Sequence, residues 1–289
     1  MPLKLGASLS FDAIGAPWQL DTAEPIDEPT RARLVERIER FDSTWSRFRD
    51  DSLVTRVSTT GGVHEFPADA PPLFALYRAL YEATDGAVTP LVGRALERLG
   101  YDSTYSLRAS GVPQRVPAWD DSVAWDGRSL TTVNPVVVDV GAAGKGYLVD
   151  LVGDILTDAG ISEYLIDASG DLLHRGTDIV RVALEHPLDT SMAIGVAELS
   201  NGSLCASASN RRAWGTSHHI IDAATGLPTR DVIATWAVAP TALVADGLAT
   251  ALFFTSADRL SAVADFTYVR MFADGRVEHS ADFEGELFA

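Results

Sequence analysis

Val133-Asn-Pro-Val-Val-Val-Asp139-Val-Gly141-Ala-Ala-Gly144-Lys145-Gly146-Tyr147 is the stretch from which the rest of the chain is ordered. Its apolar run, Val133 to Val140, predicts a buried strand. Three glycines then predict a tight turn, and Tyr147 to Ala159 a helix closing at Gly160. Downstream, strands are predicted at Tyr164–Ala168 and, after Ser169-Gly170-Asp171, near Ile179–Glu185, Ala193–Leu199, Leu204–Ser207 and His219–Ile221. Val232 to Ala239 predicts another strand, Thr241 to Ala264 a helical region, and Asp274-Gly275 the turn of a last hairpin. Strands that succeed one another without strict βαβ alternation indicate an α+β fold, with mixed or antiparallel sheets flanked by helices.

Upstream, Thr30 follows Pro29 and is positioned to cap a helix. Its apolar residues Leu34, Ile38, Phe41, Trp45 and Phe48 fall three and four apart, on one face. Helices are also predicted from Pro72 to Ala83, ending at Thr84-Asp85-Gly86, and from Pro90 to Leu99, ending at Gly100. Residues 101–130, rich in Ser, Pro, Gly and Asp, read as loops with short strands, and no internal repeat is present.

The 289 residues carry 23 Lys and Arg against 40 Asp and Glu, a net charge of −17 that argues against nucleic-acid or anionic-membrane partners. Only Lys4 and Lys145 are lysines; every other cation is arginine. The single Cys205 excludes an internal disulfide framework and a multi-cysteine metal site. The first residues lack a signal-peptide pattern and a cysteine for lipidation, so the expectation is a cytoplasmic protein. Val232 to Phe254 contains one charge, Asp246, but Pro240-Thr241 interrupts it and a lone Asp within a span is costly; membrane insertion is not expected.

Three segments carry candidate chemistry. The glycine-rich loop follows a predicted strand and opens a helix, where backbone N–H groups can meet an anion. It is neither a Walker A loop nor a dinucleotide GxGxxG, and it reads equally as a turn using glycine for positive φ and close packing. Lys145 within it offers a compact point charge in a chain that otherwise uses arginine. In Ser217-His-His-Ile-Ile-Asp222, His218 and His219 should face opposite sides of a strand, and His219 suits either a general base or a structural histidine. A zinc site is disfavoured, because the ligand count is short. Asp246 and Thr250, at i and i+4, put two hard oxygens on one helix face, an arrangement that suits Mg²⁺; the alternative is a hydroxyl bonded within its helix beside a solvated acid.

In order and spacing these segments resemble the ApbE-type FAD:protein FMN transferases. The family's Asp-Leu-Gly-Gly-Ile-Ala-Lys-Gly-Tyr is similar to Asp139 through Tyr147, with Asp150 after it. Its Asn-Leu-Gly-Gly-Asp resembles Asp167-Ala-Ser-Gly-Asp171, and its His-Ile-Ile-Asp-Pro-x-Thr-Gly-x-Pro resembles His219 to Pro228. Its Ala-Asp-Ala-Leu-Ala-Thr-Ala-Leu-Phe resembles Ala245 to Phe253. Ile14-Gly15-Ala16-Pro17-Trp18, Phe41 to Ser52 and Thr84-Asp-Gly-Ala87 are similar to further landmarks.

The resemblance implies one domain over residues 1–289, with a helical part to about residue 100, a β-rich catalytic part from about 101, and the site between two lobes. It implies FAD as substrate, with FMN transferred to a Ser or Thr of an acceptor flavoprotein and AMP released. Alternatives within the resemblance are hydrolysis of FAD to FMN and AMP, or flavin binding without chemistry. By position, Mg²⁺ would be held by Asp246, Thr250 and the carbonyl of Gly144, and His219 would be the general base. Ile14, Phe48, Ala87, Val88, Thr89, Gly141, Tyr147 and Ile220 match flavin-binding positions, with Lys145 beside the phosphates. The chain departs from the family at Ser207-Ala208-Ser209 (for Thr-Ser-Gly), Ala223 (for Pro), Thr89 (for an acid) and Ile14 (for Met).

Overall fold

The computed structural model describes residues 6–288, so Lys4 lies outside the described residues. Eight strands form one antiparallel sheet in the order Ala7–Ala13, Ala16–Thr22, Tyr164–Asp167, Asp171–Arg175, Ser203–Ala208, Val232–Ala239, Thr267–Phe272 and Val277–His279. The first hairpin thus pairs with a strand more than a hundred residues downstream, Gln19 opposite Asp167.

Alternation along these strands divides the interior into two cores. Leu172, Leu204, Trp236 and Val269 point to one face, which packs on a smaller sheet made by Val180–Glu185, Ala193–Leu199 and Gly285–Leu287. Leu173, Cys205 and Ala237 point to the other, against the helices Gly144–Asp158 and Ala242–Ala251. The helix Glu28–Trp45 packs over Gly144–Asp158 and completes the helical layer. The fold is α+β, as the order of elements indicated.

The strand Val232–Ala239, the helix Pro71–Ala83 and the hairpin turn at Asp274-Gly275 form as expected. Other elements differ. Val133 to Val140 is not a strand: Val137 and Val138 are buried but lie in irregular backbone, and Asp139 N donates to Pro90 O at 2.8 Å. The first helix is capped by Asp27, whose side chain accepts from Thr30 N at 2.9 Å, while Thr30 is buried in the first turn. Its helical face ends at Trp45, leaving Phe48 beyond the last turn. The region Thr241–Ala264 breaks after Ala251 and resumes only as Ala257–Leu260; Arg270 takes the freed carbonyls of Leu252 and Thr255 at 3.2 and 3.0 Å. His219–Ile221 is not one strand, because His219 and Ile220 lie between two short pairings, Ser217–His218 and Ile221–Asp222.

Among the described residues no helix is long and apolar enough to cross a membrane. The apolar stretch Val232–Phe254 is divided between a central strand and a buried helix.

Candidate functional site

The glycine loop is shaped by close approach. None of Gly141, Gly144 and Gly146 has positive φ. A Cβ on Gly146 would lie 2.1 Å from the Ala242 carbonyl oxygen and 2.6 Å from Asp246 Cβ, and one on Gly144 2.8 Å from Val140 Cγ2. Glycine therefore lets the helix Gly144–Asp158 touch Ala242–Ala251. The contact is fastened twice. Gly146 N donates to Asp246 Oδ2 at 2.9 Å, and the Asp150 carboxylate accepts from Ala242 N and Leu243 N at 2.8 Å each. Burial pushes the Asp150 carboxyl up to about 6 against those hydrogen bonds. Tyr77, buried, accepts from Ala142 N through its hydroxyl at 3.2 Å and holds the loop from below.

Above the loop opens a cavity of about 720 Å³, within the size range of small-molecule sites. It is lined by Ile14, Phe48, Ala87, Val88, Thr89, Gly141, Gly144, Lys145, His219, Ile220 and Thr250. Ile14 reaches it from a two-residue turn, with Ala13 paired to Ala16 and both Ile14 (φ 47°) and Gly15 (φ 74°) in the left-handed region. A β-branched residue there is strained, and strain of this kind concentrates at functional sites. Val88 N donates to Thr84 Oγ1 at 3.0 Å and Leu91 N to Thr89 Oγ1 at 3.2 Å, which fixes the 84–89 turn under the cavity.

Two expected residues are placed away from the lining. Tyr147 turns into the core, its hydroxyl donating to the Asp69 carbonyl and its ring meeting Phe41 edge-on. Asp246 is 4% exposed and lies one turn below Thr250. Burial, followed by the charge of nearby Asp171, pushes its carboxyl well above the usual range. Thr250 Oγ1 is 3.3 Å from the Ala142 carbonyl and 3.4 Å from Ser207 Oγ, so Ala142 is the loop carbonyl that meets it.

These oxygens bear on the metal. Among the described residues no three His, Cys, Asp or Glu side chains converge as ligands. One buried carboxylate, a hydroxyl and a loop carbonyl fit a small hard cation that completes its shell with water and substrate phosphate. A cation beside Asp246 would also offset the burial that now disfavours its charge.

Lys145 lines the cavity, but its ammonium is engaged. Nζ lies 2.7 Å from Asp171 Oδ2 and donates to the Ala168 carbonyl at 2.6 Å. Asp171 is wholly buried, and this lysine is the cation that balances it.

The two histidines separate cleanly. His218 accepts from Ile220 N at Nδ1, 3.2 Å, and bonds Thr229 O at Nε2, 2.7 Å, which is a structural pairing. His219 lines the cavity, with its Nδ1 enclosed and unpaired among the described residues. Burial first, then the charges of Arg212 and His218, push its imidazole down to about 3.

Sequence reasoning passed over Arg47, Tyr101, Tyr105, Arg212 and Trp214, which also line the cavity, as does Ser207 of the departing Ser207-Ala208-Ser209 segment. Arg47 lies just past the end of the helix Glu28–Trp45, where helical periodicity no longer marks which way a side chain faces. Its Nε meets Asp139 Oδ2 at 2.5 Å, and Asp139 Oδ1 accepts from Gly141 N at 2.8 Å. Burial opposes ionisation of Asp139, but Arg47 and that backbone N–H hold its carboxyl below the usual value.

The chain is 23% identical over 287 residues to a FAD:protein FMN transferase of Klebsiella pneumoniae, covering 91% of this chain and 82% of that protein. It is 29% identical over 270 residues to a FAD:protein FMN transferase of Salmonella typhimurium, covering 84% and 77%. The fold matches the flavin transferase ApbE from Vibrio cholerae with a TM-score of 0.80 at 22% identity, covering 96% of this chain and 97% of that one. It matches the ApbE protein from Thermotoga maritima with a TM-score of 0.81 at 23% identity, covering 97% and 99%. The model of the ApbE family spans residues 14–272, from the strained turn of the first hairpin to the edge of the last, and the chain belongs to that family.

Proposed function

We propose that the chain is a Mg²⁺-dependent FAD:protein FMN transferase, which moves FMN from FAD to a Ser or Thr hydroxyl of an acceptor flavoprotein and releases AMP. The observation that carries this reading is the convergence on one cavity of Thr250, the glycine loop and His219, with Asp246 one turn beneath. The names of the relatives point the same way.

In this reading Asp246, Thr250 and a carbonyl of the loop, Ala142 or Gly144, hold the ion. Bound there, Mg²⁺ supplies positive charge to the phosphoryl oxygens. His219 is neutral at physiological pH and accepts the hydroxyl proton as the acceptor oxygen bonds the flavin-side phosphorus. The bond from that phosphorus to the bridging oxygen breaks, and AMP leaves with that oxygen. An imidazole held so low is a weak base when the cavity is empty. An anionic dinucleotide beside it favours the protonated ring and raises its basicity when substrate is bound. Phe48, Ile14 and Ile220 offer apolar surface to a planar ring, while Lys145 holds Asp171 in place.

The test is to incubate the protein with FAD and Mg²⁺, with and without an acceptor flavoprotein domain. Acceptor-linked FMN with stoichiometric AMP supports transfer. Free FMN and AMP in both reactions would replace it with hydrolysis, and intact FAD with binding alone.

A further inference from the structure

Arg47 is 7% exposed, and its side chain only 3%. One edge of the guanidinium is used, through Nε on Asp139. Among the described residues neither Nη1 nor Nη2 has a hydrogen-bond partner, though both are buried. A buried donor left unmade is costly, so a pair of them beside a ligand cavity calls for an acceptor from outside the chain.

The surroundings say what kind. The guanidinium carbon sits 4.2 Å from the Phe48 ring centre and 5.0 Å from that of Tyr101. Tyr105 lies parallel on Phe48, with centroids 5.0 Å apart and planes 7° apart, and Tyr101 stacks on Trp214 at 5.7 Å. All four aromatic residues line the cavity, and Tyr105 is 52% exposed. This is a box for a planar ring, with Tyr105 standing where such a ring would stack. Charge narrows the choice further. Asp139 already neutralises Arg47, and its carboxylate would repel a phosphate brought against the same pair. A neutral, in-plane acceptor suffers no such repulsion.

We infer that Arg47 reads the carbonyl edge of the flavin's isoalloxazine ring, with Nη1 and Nη2 donating to ring acceptors as the ring enters among Phe48, Tyr101 and Tyr105. The inference rests on the transferase reading and deepens it: the residue selects the flavin half of the dinucleotide and leaves the phosphates to the glycine loop and the ion. The adenine half carries no carbonyl oxygen for this fork. Lysine here would keep the charge beside Asp139 but lose the planar pair of donors.

The experiment compares the wild-type chain with Arg47→Lys, using riboflavin (ring without phosphate) and ADP (phosphates without flavin). Riboflavin binding is read by fluorescence quenching and ADP binding by calorimetry. The inference expects riboflavin to weaken roughly ten- to a hundredfold while ADP changes by less than about twofold. Unchanged riboflavin affinity overturns it, leaving Arg47 as the partner of Asp139 only. Equal weakening of both probes also overturns it, because the residue would then be a phosphate contact or a prop for the whole cavity. A wild-type chain that binds neither riboflavin nor ADP would overturn the transferase reading itself, which the mutant comparison alone would not.

Discussion

Gly146 N donates to Asp246 Oδ2 at 2.9 Å across 100 residues of sequence, and the Ala242 carbonyl lies where a Gly146 side chain would be. The glycine loop and the candidate ion-binding acid are therefore one structural unit. Gly146→Ala forces the two helices apart. It is expected to destabilise the chain by about 1–3 kcal/mol, the usual range for overpacking, and to lower FAD cleavage. Denaturant unfolding beside an AMP-release assay checks both.

Lys145→Met removes the cation paired with buried Asp171, Nζ lying 2.7 Å from its Oδ2. Breaking a buried pair costs about 3–5 kcal/mol when one ion is left uncompensated. The sign with pH follows from Asp171, whose carboxyl burial already raises above 3.8 despite Lys145. A carboxyl with a raised folded pKa contributes stability in acid that is lost as pH rises. Without the lysine that rise is larger, so the variant's deficit should grow from acid toward neutral pH. Thermal unfolding of both proteins across that range measures it. A deficit that shrinks as pH rises would contradict the assignment.

His219→Ala should leave FAD affinity within about threefold and slow turnover by a hundredfold or more, the usual worth of a general base being about 10²–10⁴. Lost affinity with normal turnover would make His219 a binding residue.

The same histidine sets an acid limit. Burial lowers it from 6.5 to about 3 in the empty cavity, so kcat/KM, which reports the free enzyme, should show no histidine-like fall as pH drops through 6.5. Stability moves differently. Below 6.5 the unfolded chain takes up a proton at this position that the native chain does not, so native stability should decline as pH falls from there toward 3. A pH profile of kcat/KM beside one of the unfolding midpoint separates the two effects.

The sequence was most legible where one local rule governed. Asp274-Gly275 forms its hairpin, and Val232 to Ala251 resolves into strand and helix, because turn chemistry and periodicity agree there. Val133–Val140 misled, since an apolar run reports burial and not pairing. Val137 is buried against Gly93 without joining a sheet. In the site, motif positions brought Thr250, His219 and the glycines to one cavity. Tyr147 went to the core instead, because the rotation of its helix points it at Asp69. The arginine and aromatic box was not legible. Phe48, Tyr101, Tyr105 and Trp214 come from three separate segments, and only tertiary packing joins them.

The central claim is that the buried acid beneath Thr250 serves cleavage of the FAD pyrophosphate. AMP release from saturating FAD with Mg²⁺, compared between the wild-type chain and Asp246→Ala, tests it most directly. The account predicts steady AMP release from the wild type, abolished by a chelator, and none above background from a folded Asp246→Ala variant. An unchanged rate in that variant would contradict it.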